Sequence, residues 1–181
     1  MADIAEQEPQ QDRTSQDLAR QIRDHANITL STSHVSGVND SATARKNIVD
    51  TAEGRRAQRS NYGNAPGGAV DLDVDMLTGM LGLAGTYRFR VSEIAGGSHS
   101  ANSRHYAGVA FDVDQINGRQ VNSNNPDYQT FMQIGRTLGA TEVLGPGNVG
   151  HDTHVHLAWP RRDLSEKDDS KPTCEGGQPI T

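Results

Sequence analysis

Aromatic residues make up only 4% of this 181-residue chain, so its core cannot rest on large rings. It must be assembled from Val, Ile, Leu, Ala and Met between frequent turns, for which the 19 glycines provide. Cysteine occurs once, as Cys174, which excludes an intrachain disulfide and a cysteine-based zinc site. Any metal bound here must use histidine and carboxylate. No stretch of about 18 apolar residues is present, so no membrane span is expected. The opening MADIAEQEPQQDRTSQD lacks the basic and apolar parts of an export signal, and the expectation is a soluble product made in the cytoplasm. A formal charge of −6 with no Lys/Arg block argues against a nucleic-acid partner.

What remains fits one loop-rich domain. Residues 1–30 read as a polar lead-in with a short helix in SQDLARQIRDHAN, residues 31–160 as the domain, and residues 161–181 as a flexible polar tail. Within the domain, Ser41 is positioned to cap a helix through ATARKNIVDTAEG, with Ala44, Ile48 and Ala52 on one face and Gly54 as its stop. RSNYGNAPGG (59–68) breaks both helix and strand. Asp73 caps a helix whose Met76, Leu77, Met80 and Leu81 form an apolar face, a core stripe rather than a cofactor contact. Asn125 and Pro126 open a further helix with Tyr128, Phe131, Ile134 and Leu138 on its core side.

Three segments have strand character. YRFRVSEI (87–94) alternates apolar residues with Arg88, Arg90 and Ser92, the period of a half-buried strand. GVAFDVD (108–114) and HVHLAW (154–159) are rich in β-favouring residues.

The chemistry concentrates in two of these segments, because four of the seven histidines lie in SRHYAGVAFD and HDTHVH. His154 and His156, two apart in a strand, project from one face, so one can bind a metal while the other meets a substrate. His105 precedes a strand that contains Asp112, and a turn at Tyr106 to Gly108 can bring both to one point. Two histidines and an aspartate leave the fourth position of tetrahedral zinc open, as catalytic sites require.

The pattern S-x-H-Y-x-G-x-A-x-D from Ser103 to Asp112, followed downstream by H-x-H, resembles that of the LAS zinc peptidases, which include lysostaphin-type enzymes, D-Ala-D-Ala metallopeptidases and hedgehog. The spacing is most similar to the D-alanyl-D-alanine carboxypeptidase and endopeptidase branch, and HDTHVH has the H-x-x-H-x-H spacing of a penicillin-insensitive murein endopeptidase. The resemblance covers roughly residues 85–160. It implies an α+β fold, with a small antiparallel sheet carrying the zinc site and helices packed against it. It also implies Zn2+ held by His105, Asp112 and His156, with His154 first and His151 second as catalytic groups. Arg90 is the expected anchor for a substrate carboxylate, and Ser103 either contacts substrate or holds His105. Other branches carry an acid three positions before the last ligand; Thr153 stands there in this chain, so Asp152 and Glu142 join the histidines as candidate bases.

The implied function is hydrolysis of peptidoglycan stem or cross-bridge peptides by a monomer. It would act in the wall or periplasm after lysis or dedicated export, as a phage-type lysin or injected effector does. The alternative is a hedgehog-type binding module that keeps zinc without catalysis. Three decoys are set aside. His99 lines the cleft at most. GPGNVG (145–150) matches a dinucleotide loop but precedes a strand instead of a helix, and DVDQING (112–118) has the wrong spacing for a calcium loop.

Overall fold

The computed structural model describes residues 14–162, so the lead-in before Thr14, the tail beyond Arg162 and Cys174 lie outside the described residues. Four helices are present among them, α1 (Ser15–Arg23), α2 (Ala44–Ala52), α3 (Val74–Ala84) and α4 (Tyr128–Thr137). The main sheet contains β1 (Ile28–Leu30), β4 (Phe89–Glu93), β5 (Ala110–Ile116), β6 (Arg119–Gln120), β7 (Glu142–Leu144) and β8 (Val155–Ala158). Strands β2 (Ala57–Gln58) and β3 (Ala69–Val70) pair separately, one on each side of the turn-rich segment 59–68.

The fold is α+β, with main-sheet order β1-β4-β5-β8-β7 and β6 paired to β5. The sheet is mixed where an antiparallel one was expected: β1 runs parallel to β4, and the other pairs are antiparallel. The chain passes from β1 through α2 and α3 before it reaches β4, and such a long crossover permits parallel pairing. Residues assigned to the lead-in are also integral to the core. Leu18, Ala19 and Ile22 of α1 are completely buried, and α1 packs against α2 and α3.

Local chemistry explains the helix starts. Asp73 accepts the Met76 N–H at the head of α3, as its position in the sequence predicts. Thr43, rather than Ser41, caps α2 by accepting the Lys46 N–H; Ser41 instead donates to Gln58. On α4 the core side is Phe131, Met132 and Gly135, while Leu138 at the helix end is 37% exposed.

Alternation along the strands creates the site. Phe111 and Val113 of β5 and Val155 and Leu157 of β8 belong to the apolar core, which also contains Met76, Leu77, Met80 and Phe131. Asp112 and His156 take the intervening positions and therefore face away from it. They are cross-strand partners, so antiparallel pairing alone sets them side by side. In β4 the register shifts between Val91 and Glu93, leaving Glu93 opposite Asp112. A bulge of this kind re-aims a side chain, and Glu93 borders the same cavity as Asp112.

Candidate metal centre

His105 arrives from the turn before β5. There the Ala107 N–H bonds the Arg104 carbonyl and the Gly108 N–H bonds the His105 carbonyl. Gly108 has φ +73°, and a Cβ at that position would lie 2.5 Å from the Asp71 carbonyl oxygen, so only glycine fits this turn. Ser103 Oγ accepts the His105 N–H at 3.2 Å, which pins the backbone of the incoming histidine.

Three atoms converge where these elements meet. His105 Nε2 lies 3.1 Å from Asp112 Oδ1 and 3.1 Å from His156 Nδ1, and the last two are 3.0 Å apart. All three residues are buried. The opposite ring nitrogens are occupied: His105 Nδ1 lies 2.6 Å from the Ile94 carbonyl, and His156 Nε2 lies 2.7 Å from Glu142 Oε1. A carbonyl and an ionised carboxylate can only accept, so each of those nitrogens carries the hydrogen. With neutral rings, His105 Nε2 and His156 Nδ1 then present lone pairs to each other and to an anionic oxygen.

Such a cluster attracts positive charge. Burial alone would push the His105 pKa down, but the Asp112 charge and hydrogen bond outweigh it and leave His105 raised. Burial would likewise raise Asp112, yet the charge and hydrogen bonds of His105 and His156 hold it well below the usual carboxylate range. The triangle also fits zinc, whose bonds of about 2.0–2.1 Å put neighbouring ligands of a tetrahedron roughly 3.3 Å apart.

A second grouping, His99 with His105 and Asp112, also places three possible ligand atoms within 4.8 Å of one another. The rings of His99 and His105 are stacked at 3.8 Å with only 10° between their planes. Nitrogen lone pairs lie in the ring plane, so two parallel stacked rings do not aim at one ion. His105 and His156, inclined by 59°, can do so. His99 Nε2 donates to the Gly96 carbonyl, and burial, with the nearby His105 charge, lowers its pKa to about 4.

The cluster opens into a cavity of about 900 Å³ that reaches both remaining histidines of the second motif. His154 Nε2 lies 3.9 Å from Asp112 Oδ2, and burial lowers its pKa. His151 stands beside it, ring centroids 4.8 Å apart, and its Nδ1 donates to the Val149 carbonyl. Thr153 and Ser103 also border the cavity. Arg90 does not: its guanidinium forms two bonds of 2.8 and 2.7 Å with Asp114. The arginines that border the cavity are Arg104 and Arg161, and neither has a carboxylate partner among the described residues.

Sequence reasoning did not foresee these two arginines, nor a second buried cluster beside the cavity. His34 Nδ1 contacts both Glu93 oxygens at 2.8 and 2.9 Å, and its Nε2 contacts Asp40 Oδ1 at 2.5 Å. Ser60 Oγ donates to Asp40 and accepts the Gly97 N–H. His34 and Glu93 are 59 positions apart, and no local pattern announces such a pair.

No family model matches the chain, and no solved structure matches it significantly. Among curated proteins it is similar to the zinc D-Ala-D-Ala carboxypeptidase of Streptomyces albus G, at 30% identity over 119 residues. The matched region is 65% of this chain but 37% of that protein's length. Among the described residues, His99, His105 and Asp112 form a group compatible with a metal site, and His105, Asp112 and His156 converge at comparable distances.

Proposed function

We propose that this chain is a zinc-dependent peptidase of peptidoglycan peptides, with His105, Asp112 and His156 holding the ion and a D-Ala-D-Ala type bond as its substrate. The observation that carries this reading is the buried triangle of 3.0–3.1 Å edges, in which His105 Nε2 and His156 Nδ1 both turn toward the Asp112 oxygen. Similarity to a protein named as a zinc carboxypeptidase points the same way. Zinc, when bound, supplies a Lewis acid for a peptide carbonyl and acidifies water.

His154 serves as the proton carrier. Its lowered pKa keeps the ring neutral at neutral pH, so Nε2 can take a proton from the attacking water and return it to the leaving amine. His151, with Nδ1 fixed on Val149, flanks that ring and steadies it. Ser103 holds the His105 backbone. The carboxylate of the substrate falls to Arg104 and Arg161, since the fork of Arg90 is already filled by Asp114. A wall substrate puts the site of action in the wall or periplasm, reached by lysis or export.

The test is incubation of zinc-loaded protein with muropeptides ending in D-Ala-D-Ala, with and without chelator, followed by mass spectrometry. Release of D-alanine that the chelator abolishes is expected, while internal cleavage would assign an endopeptidase. Stoichiometric zinc and binding of wall fragments without any cleavage would overturn the enzyme reading in favour of a hedgehog-type binding module.

A further inference from the structure

The carboxylate of Glu142 sits behind the His156 ring, on the side away from His105 and Asp112. We propose that Glu142 is the positioning residue of the centre, fixing His156 so that Nδ1 and not Nε2 faces the ion; this rests on the metal reading above. Three observations carry it. First, Glu142 Oε1 and His156 Nε2 are 2.7 Å apart, the length of a charge-assisted hydrogen bond. Second, His156 Nδ1 is the atom 3.0 and 3.1 Å from the other two members of the triangle. The imidazole therefore stands between Glu142 Oε1 and the cluster, which gives this carboxylate oxygen a task other than that of a base. Third, the sheet itself sets this geometry. Glu142 pairs with Ala158 and Leu144 pairs with His156, so Glu142 and His156 are diagonal neighbours on one face of β7 and β8.

A free histidine exchanges between two neutral tautomers, and only one of them leaves Nδ1 open. An acceptor fixed at Nε2 selects that form and holds the ring plane on the ion. Ile94 does the same for His105 through a backbone carbonyl, which no side-chain substitution can remove. Glu142 is therefore the one of the two orienting contacts that mutation can test.

The experiment measures zinc affinity by chelator competition for the full chain and for Glu142→Gln, Glu142→Ala and Asp112→Ala, together with nitrogen NMR of His156 in the zinc-loaded protein. The Glu142 side chain is 40% exposed on an edge strand, so thermal melts of the metal-free Glu142 variants should overlay the wild type. Glu142→Ala is expected to weaken zinc about 10- to 100-fold. Glu142→Gln, which keeps an acceptor oxygen, should recover part of that loss. The wild-type spectrum should show metal at Nδ1 and hydrogen at Nε2. Unchanged affinity in Glu142→Ala, or metal at Nε2, overturns the proposal while leaving the metal centre intact. No zinc on the wild type, as on Asp112→Ala, overturns the metal reading and this proposal with it.

Discussion

His34 and His105 are both buried histidines within hydrogen-bonding distance of a buried carboxylate, yet they sit in clusters of opposite design. Around His34 the two ring nitrogens point outward to separate acids, Glu93 and Asp40, so all hydrogen-bonding capacity is spent within the protein. Around His105 one nitrogen is tied to Ile94, and the other meets Asp112 and a second imidazole at a common point. Residue types alone do not separate the two arrangements. Direction does: divergent nitrogens make a structural ion-pair relay, whereas convergent ones form a cluster compatible with a metal site.

The sharpest way to break this comparison is to remove one of the convergent side chains. Asp112→Ala should take zinc from stoichiometric to absent by metal analysis and abolish peptide release. His34→Ala should leave zinc content unchanged in folded protein. Next in size, His154→Ala should retain zinc and lose about 10²- to 10⁴-fold in turnover, the usual worth of a positioned proton carrier. An undiminished rate would move that role to another group.

Stability reads the other cluster. His34→Ala strands Glu93 and Asp40 and should cost about 3–5 kcal/mol in urea unfolding, the penalty for breaking a buried ion pair from one side. Added zinc separates the clusters again. At about 1,000 times its dissociation constant it should stabilise both wild type and His34→Ala by about 4 kcal/mol, and Asp112→Ala not at all.

The pH dependence follows from His34. Burial opposes its charge, but Asp40 and Glu93 more than compensate, and its folded-state pKa is raised above 6.5. Its contribution is therefore complete below about 6.5 and is lost as pH rises through the folded value. The stability gap between wild type and His34→Gln should narrow over that rise; a gap that widens would contradict the assignment. The smallest effect belongs to Arg90→Ala. Arg90 pairs with Asp114 while about one-third exposed, so stability should fall by no more than about 1 kcal/mol and turnover should not change.

Much of this fold is visible in the sequence where one segment carries its own signal. The alternation in 87–94 announces β4, and Asp73 announces α3. The thin stripe of Leu18 and Ile22 announces a helix but not its destination, because two apolar residues cannot show that α2 and α3 are waiting to cover them. The same limit applies to Arg90, whose strand position says nothing of Asp114 on the neighbouring strand.

At the site, sequence by itself determined the spacing of His105, Asp112, His154 and His156 and the strand alternation that turns Asp112 and His156 away from the core, while His154 precedes β8 instead of lying in it. It also determined that a metal here must rely on histidine and carboxylate. Tertiary structure decided the rest. Antiparallel register set Asp112 against His156, the Gly108 turn delivered His105, and β7 put Glu142 behind His156. The bulge in β4 turned Glu93 toward a histidine 59 positions away. A hydrogen bond needs a partner at about 3 Å, and that distance is set by how elements pack, which no local pattern of residues contains.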